Sequence, residues 1–188
     1  MTLHANLPAA EADPDQGSCV ARAPEGRTSG EQALWLAPKY ADGARDVRVR
    51  WALQGAEGAP VVIVQGGISA DRHAARTLDG GAGWWPAIVG PAHPIDTGRW
   101  RVLSIDWLER ADLGDALAVA STDQADALAA LLDALAIRHV HAFVGASYGA
   151  MVGLAFAARH ASRLHRLVAI AGAHRAHQAQ GNAGRRRQ

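Results

Sequence analysis

A serine framed by two glycines, between an apolar segment and a helical pattern, constrains this chain more than any other feature. The pentapeptide Gly145-Ala-Ser-Tyr-Gly149 follows the apolar segment His139–Val144 and precedes a helical pattern that continues to about His160. A sharp turn from strand to helix forces its central residue into strained backbone angles and leaves space only for small neighbours. Such a turn raises its serine above the edge of a sheet, beside the first amides of the helix. The pattern therefore predicts Ser147 as a nucleophile.

A G-x-S-x-G turn in this setting is typical of the nucleophile elbow of the α/β-hydrolase fold. That fold stabilises the oxyanion with the amide that follows the nucleophile and with an amide from the loop after the third strand. In this chain the predicted donors are the N–H of Tyr148 and, within Gln65-Gly-Gly-Ile68, the N–H of Gly67. An ordinary glycine-rich turn is the alternative interpretation of both glycine clusters.

The apolar pattern predicts alternating strands and helices, and therefore a doubly wound, mostly parallel sheet. Two antiparallel strands are expected at Ala33–Ala37 and Asp46–Gln54, followed by a buried parallel strand at Val61–Val64. The elements expected after these, in chain order, are a strand at Trp100–Ile105, a helix opened by a capping box at Ser121–Gln124, a strand at His139–Val144, a helix from Ser147 to about His160, and a strand at Leu167–Ala171. We expect residues 1–30 to be a flexible leader and residues 31–177 to be the front part of an α/β-hydrolase domain. Residues 178–188 read as a disordered tail or as out-of-frame translation.

Composition excludes several classes of function. A net charge of +1 gives no argument for a nucleic-acid partner or an anionic membrane surface. No apolar run approaches membrane-spanning length, and no signal peptide is evident, so a cytoplasmic location is expected. The single cysteine, Cys19, excludes an internal disulfide framework. The histidines have no cysteine or carboxylate partners at metal-ligand spacing, so we expect no metal site.

The partners that a serine nucleophile needs are missing from the pattern. In this fold an acidic residue and then a histidine follow the serine along the chain. Between Ser147 and Gln188 there is no Asp or Glu, and the histidines there are His160, His165, His174 and His177. We therefore expect an incomplete fold without its lid and last strands, an inactive chain, and aggregation at the exposed sheet edge.

Two further pairs of side chains are weaker candidates for contacts with a substrate. Trp84 and Trp85 either rim an acyl pocket or simply pack against the core. His174 and Arg175 follow the last predicted strand, at the edge where open α/β sheets bind ligands. Substrate-binding residues are not identified by the pattern.

Five segments in order resemble the homoserine O-acyltransferases of the α/β-hydrolase superfamily. They are Gly83-Trp-Trp85, Val89-Gly-Pro91, Ile95-Asp-Thr97, Arg101–Ile105 and Gly145-Ala-Ser-Tyr-Gly-Ala-Met151. The resemblance implies transfer of an acetyl or succinyl group from acyl-CoA to the hydroxyl of L-homoserine, in methionine biosynthesis. It implies that Ser147 carries the acyl group, that Gly67 and Tyr148 donate to the oxyanion, and that no cofactor is bound. A homodimer is left open for the full-length form.

The chain departs from the family pattern at two loops. Gln65-Gly-Gly-Ile-Ser69 stands where the family has His-Ala-Leu-Thr-Gly, and Asp106-Trp-Leu-Glu109 stands in place of Asn-x-Leu-Gly. Both departures leave the identity of the acyl donor open. The alternatives are a serine esterase or thioesterase of the same superfamily, or a non-catalytic remnant domain.

Overall fold

The computed structural model describes residues 25–76, 80–114 and 116–173. The helices and strands of this part, in chain order, are β1 Glu25–Leu36, β2 Arg45–Ala56, β3 Val61–Gln65, β4 Val89–Gly90, β5 Ile95–Asp96, β6 Arg101–Ile105, a 3₁₀ helix Arg110–Leu113, α1 Ser121–Ala134, β7 Ala142–Ala146, α2 Tyr148–Arg159, a 3₁₀ helix Ala161–Arg163 and β8 Leu167–Ile170. Six strands form one sheet in the order β1-β2-β6-β3-β7-β8, and β4 pairs with β5 separately. The predicted α/β-hydrolase architecture is therefore confirmed.

The antiparallel half of the sheet is longer than predicted. β1 pairs with β2 along its whole length, from Glu25 opposite Ala56 to Leu36 opposite Arg45. The prediction that residues 25–30 belong to a flexible leader is therefore wrong, and residues 1–24 lie outside the described part. Composition misled because these polar residues are held by backbone pairing with β2, which needs no apolar side chain.

The parallel half of the sheet provides the edge at which the predicted nucleophile lies. β3 is parallel to β6 on one side and to β7 on the other, and β8 follows in parallel with β7. After β3 the chain moves to one side of this strand and later returns to its other side at β7. In open α/β sheets, ligands bind at the carboxyl ends of the strands where the order reverses in this way. The carboxyl ends of β3 and β7 therefore define the expected site.

The larger hydrophobic core lies between the sheet and the helices. Leu128, Leu131 and Leu132 of α1 are fully buried there, with Val152 and Phe156 of α2. α1 begins at Ser121, as predicted, but its N-cap is Ala120 rather than a residue of the predicted box. The Asp123 carboxylate accepts hydrogen bonds from the N–H of Ala120 at 2.7 Å and of Lys39 at 2.8 Å. The first helical turn is thus tied to the loop after β1.

The last two strands of the sheet show one difference from the predicted pattern and one exposed edge. β7 begins at Ala142, so His139 and His141 precede the strand instead of lying on it. β8 is an edge strand, and Val168 and Ile170 remain 45% and 42% exposed. Exposed apolar side chains on an edge strand are a recognised aggregation hazard, and aggregation of the isolated chain stays a prediction. Among the described residues, no helix is both long and apolar enough to cross a membrane.

Candidate active site

Ser147 occupies the turn between β7 and α2 in a strained conformation. Its backbone angles are φ 55° and ψ −115°, a region that side chains other than glycine rarely adopt. The residue is exposed at the sheet edge, and α2 begins directly after it. Strain of this kind costs on the order of 1–3 kcal/mol and is concentrated at functional sites. The geometry is that of a nucleophile elbow.

The two glycines of the pentapeptide are required by crowding. A Cβ at Gly145 would collide with the carbonyl oxygen of Gly149, and a Cβ at Gly149 would collide with the carbonyl oxygen of Gln65. In both cases the obstacle is backbone, which cannot rotate away as a side chain can. The turn can therefore be made this tightly only with glycine at both positions.

Hydrogen bonds leave one amide of the elbow available. The Ser147 N–H donates to the carbonyl of Ile170 at 2.8 Å, and the Gly149 N–H donates to the carbonyl of Gly66 at 2.8 Å. Within the described part of the chain, the Tyr148 N–H donates to no backbone carbonyl. The unused amide next to the nucleophile is thus the one predicted as an oxyanion donor.

The loop after β3 approaches the elbow through its glycine pair. Gly66 is buried, and its carbonyl accepts the hydrogen bond from Gly149. No described backbone carbonyl accepts the Gly67 N–H, whereas the Gly67 carbonyl accepts the Ala70 N–H at 2.9 Å. A Cβ at Gly67 would meet nothing within 4 Å, so the backbone there faces open space. This arrangement is compatible with the predicted second donor, whose role stays a prediction.

A carboxylate at the end of β6 holds the far end of the same loop. Asp106 accepts the N–H of Arg72 at 2.9 Å and pairs with the Arg72 guanidinium at 2.6 Å and with Arg50 at 3.0 Å. From the sequence, the segment that contains Asp106 stands out only as a departure from the family pattern. The feature that could have identified Asp106 is its position directly after a buried strand, at the carboxyl edge of the sheet.

The described histidines do not supply a base to Ser147. His160 contacts the Asp126 carboxylate at 2.9 Å, and Arg159 also pairs with Asp126 at 2.7 Å. This histidine–carboxylate pair lies at the far end of α2, which has 12 residues and is about 18 Å long. His165 stacks on His139, and no described hydrogen bond joins a histidine to the Ser147 hydroxyl. His174 and His177 lie outside the described residues, as do Arg175 and the tail 178–188.

The aromatic side chains near the loop after β3 pack against each other and against that loop. Trp84 stacks on Trp85 with ring centroids 5.3 Å apart, and the Trp84 indole N–H donates to the Asp71 carbonyl at 3.0 Å. The Trp84 ring also covers Gly66, where a Cβ would come within 2.9 Å of it. Tyr148 is half-buried, and burial raises the pKa of its phenol. The Trp84 contacts hold the predicted oxyanion loop in place. In the described part of the chain, no three metal-ligating side chains come together.

Comparison with known proteins agrees with this geometry. A family model for the alpha/beta hydrolase fold matches residues 59–187, and the chain belongs to that family.

Within the family, the chain is similar to acyltransferases, as the sequence resemblance predicted. It is 52% identical over 149 residues to the homoserine O-succinyltransferase of Xanthomonas campestris pv. campestris, which covers 79% of this chain and 40% of the relative. It is 36% identical to the L-serine/homoserine O-acetyltransferase of Streptomyces lavendulae, over 60% of this chain and 34% of the relative. The chain thus spans well under half the length of these relatives. A homoserine O-acetyltransferase structure from Staphylococcus aureus shares the fold, with a TM-score of 0.65 and 18% identity, over 75% of this chain and 45% of that one.

Proposed function

We propose that the intact protein, the complete gene product that contains this chain, transfers an acyl group from acyl-CoA to the hydroxyl of L-homoserine. The observation that carries the proposal is the 52% identity to a homoserine O-succinyltransferase over a segment that includes the elbow. The exposed, strained Ser147 and the free Tyr148 amide beside it support a covalent route. No cofactor is needed for such a reaction, and acyl-CoA is a substrate.

The proposed reaction has two halves that meet at Ser147. In the first, the Ser147 oxygen forms a bond to the thioester carbonyl carbon, the carbon–sulfur bond breaks, and the serine proton passes through a base to the departing CoA sulfur. In the second, the homoserine oxygen attacks the acyl-serine ester, the Ser147 oxygen leaves, and its proton returns from homoserine through the same base. The α/β-hydrolase fold takes that base from a histidine after the nucleophile. We propose that it comes from outside the described residues.

Gly67 and Tyr148 have the role of stabilising the tetrahedral intermediate. Each half-reaction places negative charge on the carbonyl oxygen, and two backbone N–H groups near Ser147 can share that charge. Removal of one such donor costs about 2.7–4 kcal/mol of transition-state stabilisation. Because both donors are backbone groups on segments joined by the Gly149–Gly66 hydrogen bond, they need little reorganisation during the reaction.

The proposal also specifies the acyl donor and the acceptor. We propose succinyl-CoA as donor, because the relative with 52% identity is a homoserine O-succinyltransferase and the relative with 36% identity is an acetyltransferase. Homoserine rather than serine is favoured as the acceptor, because the relative with 52% identity is a homoserine O-succinyltransferase. We further propose that the reaction belongs to methionine biosynthesis in the cytoplasm, which methionine auxotrophy of a deletion strain would support.

The test is a four-way assay of the intact protein. Succinyl-CoA and acetyl-CoA are each combined with L-homoserine and L-serine, and both the released thiol and the mass of the acylated amino acid are measured. We expect O-succinylhomoserine to form fastest, and Ser147→Ala to abolish its formation. Ser162→Ala, at an exposed serine beyond the far end of α2, is the matched control and should retain full activity. Thiol release at an equal rate without any amino acid would instead indicate a thioesterase.

A further inference from the structure

Trp107 contacts both segments that carry the predicted oxyanion donors. Its indole N–H donates to the Gly67 carbonyl at 2.8 Å. Its ring packs edge-to-face on the Tyr148 ring, with centroids 4.8 Å apart and planes inclined by 74°. The residue is only 8% exposed, although it lies in the loop two positions after the end of β6. One side chain therefore spans from the loop after β3 to the first residue of α2.

The backbone on either side of Trp107 is itself held in place. The Asp106 N–H donates to the Arg50 carbonyl at 2.9 Å, which continues the pairing of β2 with β6. The Leu108 N–H donates to Gln124 Oε1 at 3.0 Å, and Gln124 Nε2 donates to the Leu108 carbonyl at 2.9 Å. Gln124 is buried in the first turn of α1. A side chain can position a neighbour only if its own location is fixed, and Trp107 meets that requirement.

Gly67 needs such an anchor because it is a glycine. Without a Cβ, this residue has wide backbone freedom, and the structure shows open space where a Cβ would lie. The peptide that carries the Gly67 N–H is held through the Gly66 carbonyl by Gly149. The next peptide is held through the Gly67 carbonyl, which accepts the Trp107 indole N–H as well as the Ala70 N–H. Both peptides flanking the glycine are thus fixed, and the direction of its N–H follows.

We propose that Trp107 is a positioning residue that aims the Gly67 N–H at the oxyanion and sets its spacing from the Tyr148 N–H. The proposal rests on the proposed acyl transfer through Ser147. Trp107 touches no reacting atom in this role and acts through the Gly67 carbonyl. Donors that are correctly aimed act on the transition state and contribute little to ground-state binding of the substrates, so the effect belongs to kcat rather than KM.

The test is Trp107→Phe in the intact protein, which keeps an aromatic ring against Tyr148 and removes the indole N–H. We expect kcat for acyl transfer to fall about 10- to 100-fold, because a small misplacement of catalytic groups has effects of this size. KM for both substrates should stay within about twofold, since ground-state contacts are unchanged. A melting curve of the variant shows whether the protein is still folded.

Trp51→Phe is the matched control. Trp51 is also 8% exposed, lies on β2, and its indole N–H has no hydrogen-bond partner in the described part. This variant should keep the wild-type kcat. If Trp107→Phe does not fold, β-(3-benzothienyl)alanine incorporated at position 107 keeps the bicyclic shape and removes only the N–H donor. The same fall in kcat is then expected.

The outcomes separate the two proposals. A wild-type kcat in Trp107→Phe or in the benzothienyl variant overturns the positioning role, while loss of activity in Ser147→Ala still supports acyl transfer through the serine. A parallel rise in KM with kcat unchanged also overturns it, because that pattern indicates substrate binding. Full activity in Ser147→Ala would overturn the proposed function itself.

Discussion

Gly149→Ala provides the sharpest test of the elbow geometry. The added Cβ would collide with the Gln65 carbonyl oxygen and lie only 2.8 Å from the Gly66 carbonyl oxygen. The Gly149 N–H donates to that Gly66 oxygen, so the clash cannot be relieved without loosening the hydrogen bond. Overpacking of this kind costs about 1–3 kcal/mol, and the weakened hydrogen bond adds about 1 kcal/mol. We expect the free energy of unfolding to fall by about 2–4 kcal/mol.

Gly67→Ala is the matched control for this change. It adds the same methyl group in the neighbouring loop, where nothing lies within 4 Å and no positive φ is required. Replacement of glycine by alanine at a compatible position is neutral or stabilises by about 0.4–1 kcal/mol, since it restricts the unfolded chain. Urea unfolding of wild type and both variants of the intact protein, followed by circular dichroism and fluorescence, gives the three free energies.

Gly149→Ala should therefore be destabilising and Gly67→Ala should not. Equal stability of Gly149→Ala and wild type would refute the crowding at the elbow. A loss in Gly67→Ala as large as that in Gly149→Ala would refute the open space at Gly67 and the distinction between the two glycines.

Three further predictions concern groups outside the elbow. Asp126→Asn should lower stability by no more than about 1 kcal/mol, because its contacts with Arg159 and His160 are partly exposed to solvent. It should leave acyl transfer unchanged, and a large loss of activity would give the Asp126–His160 pair a catalytic role. Gln124→Leu leaves the buried N–H and carbonyl of Leu108 unpaired and should lower the free energy of unfolding in urea by about 2–4 kcal/mol. An unchanged free energy of unfolding would contradict the role given to these two hydrogen bonds. Burial, with nearby positive charge, lowers the pKa of His141, so the unfolded state binds more protons and stability should decline as pH falls below about 6.5. His141→Gln should reduce that decline, as measured by unfolding free energies between pH 5 and pH 8, and an unchanged slope would contradict it.

The sequence by itself determined the main architecture and the candidate nucleophile. Local patterns were sufficient there: a short apolar run predicted β3, the capping-box pattern at Ser121–Gln124 predicted the start of α1, and glycines at both ends of the pentapeptide predicted the elbow at Ser147. Each of these signals acts over a few residues, because strand burial, helix periodicity and turn geometry depend on neighbouring side chains. The extent of β1 was missed, since backbone pairing of polar residues leaves no apolar signal, and the start of β7 was placed too early.

Only the tertiary structure decided which groups of the site are available and which are occupied. The Ser147 N–H donates to the carbonyl of Ile170 at the end of β8, and the Gly149 N–H donates to the carbonyl of Gly66 after β3. The Tyr148 N–H therefore remains available as an oxyanion donor. Trp107 reaches Gly67 across 40 positions of sequence, because the sheet places β6 next to β3. Such contacts depend on the order of strands in the sheet, which no local pattern of residues encodes.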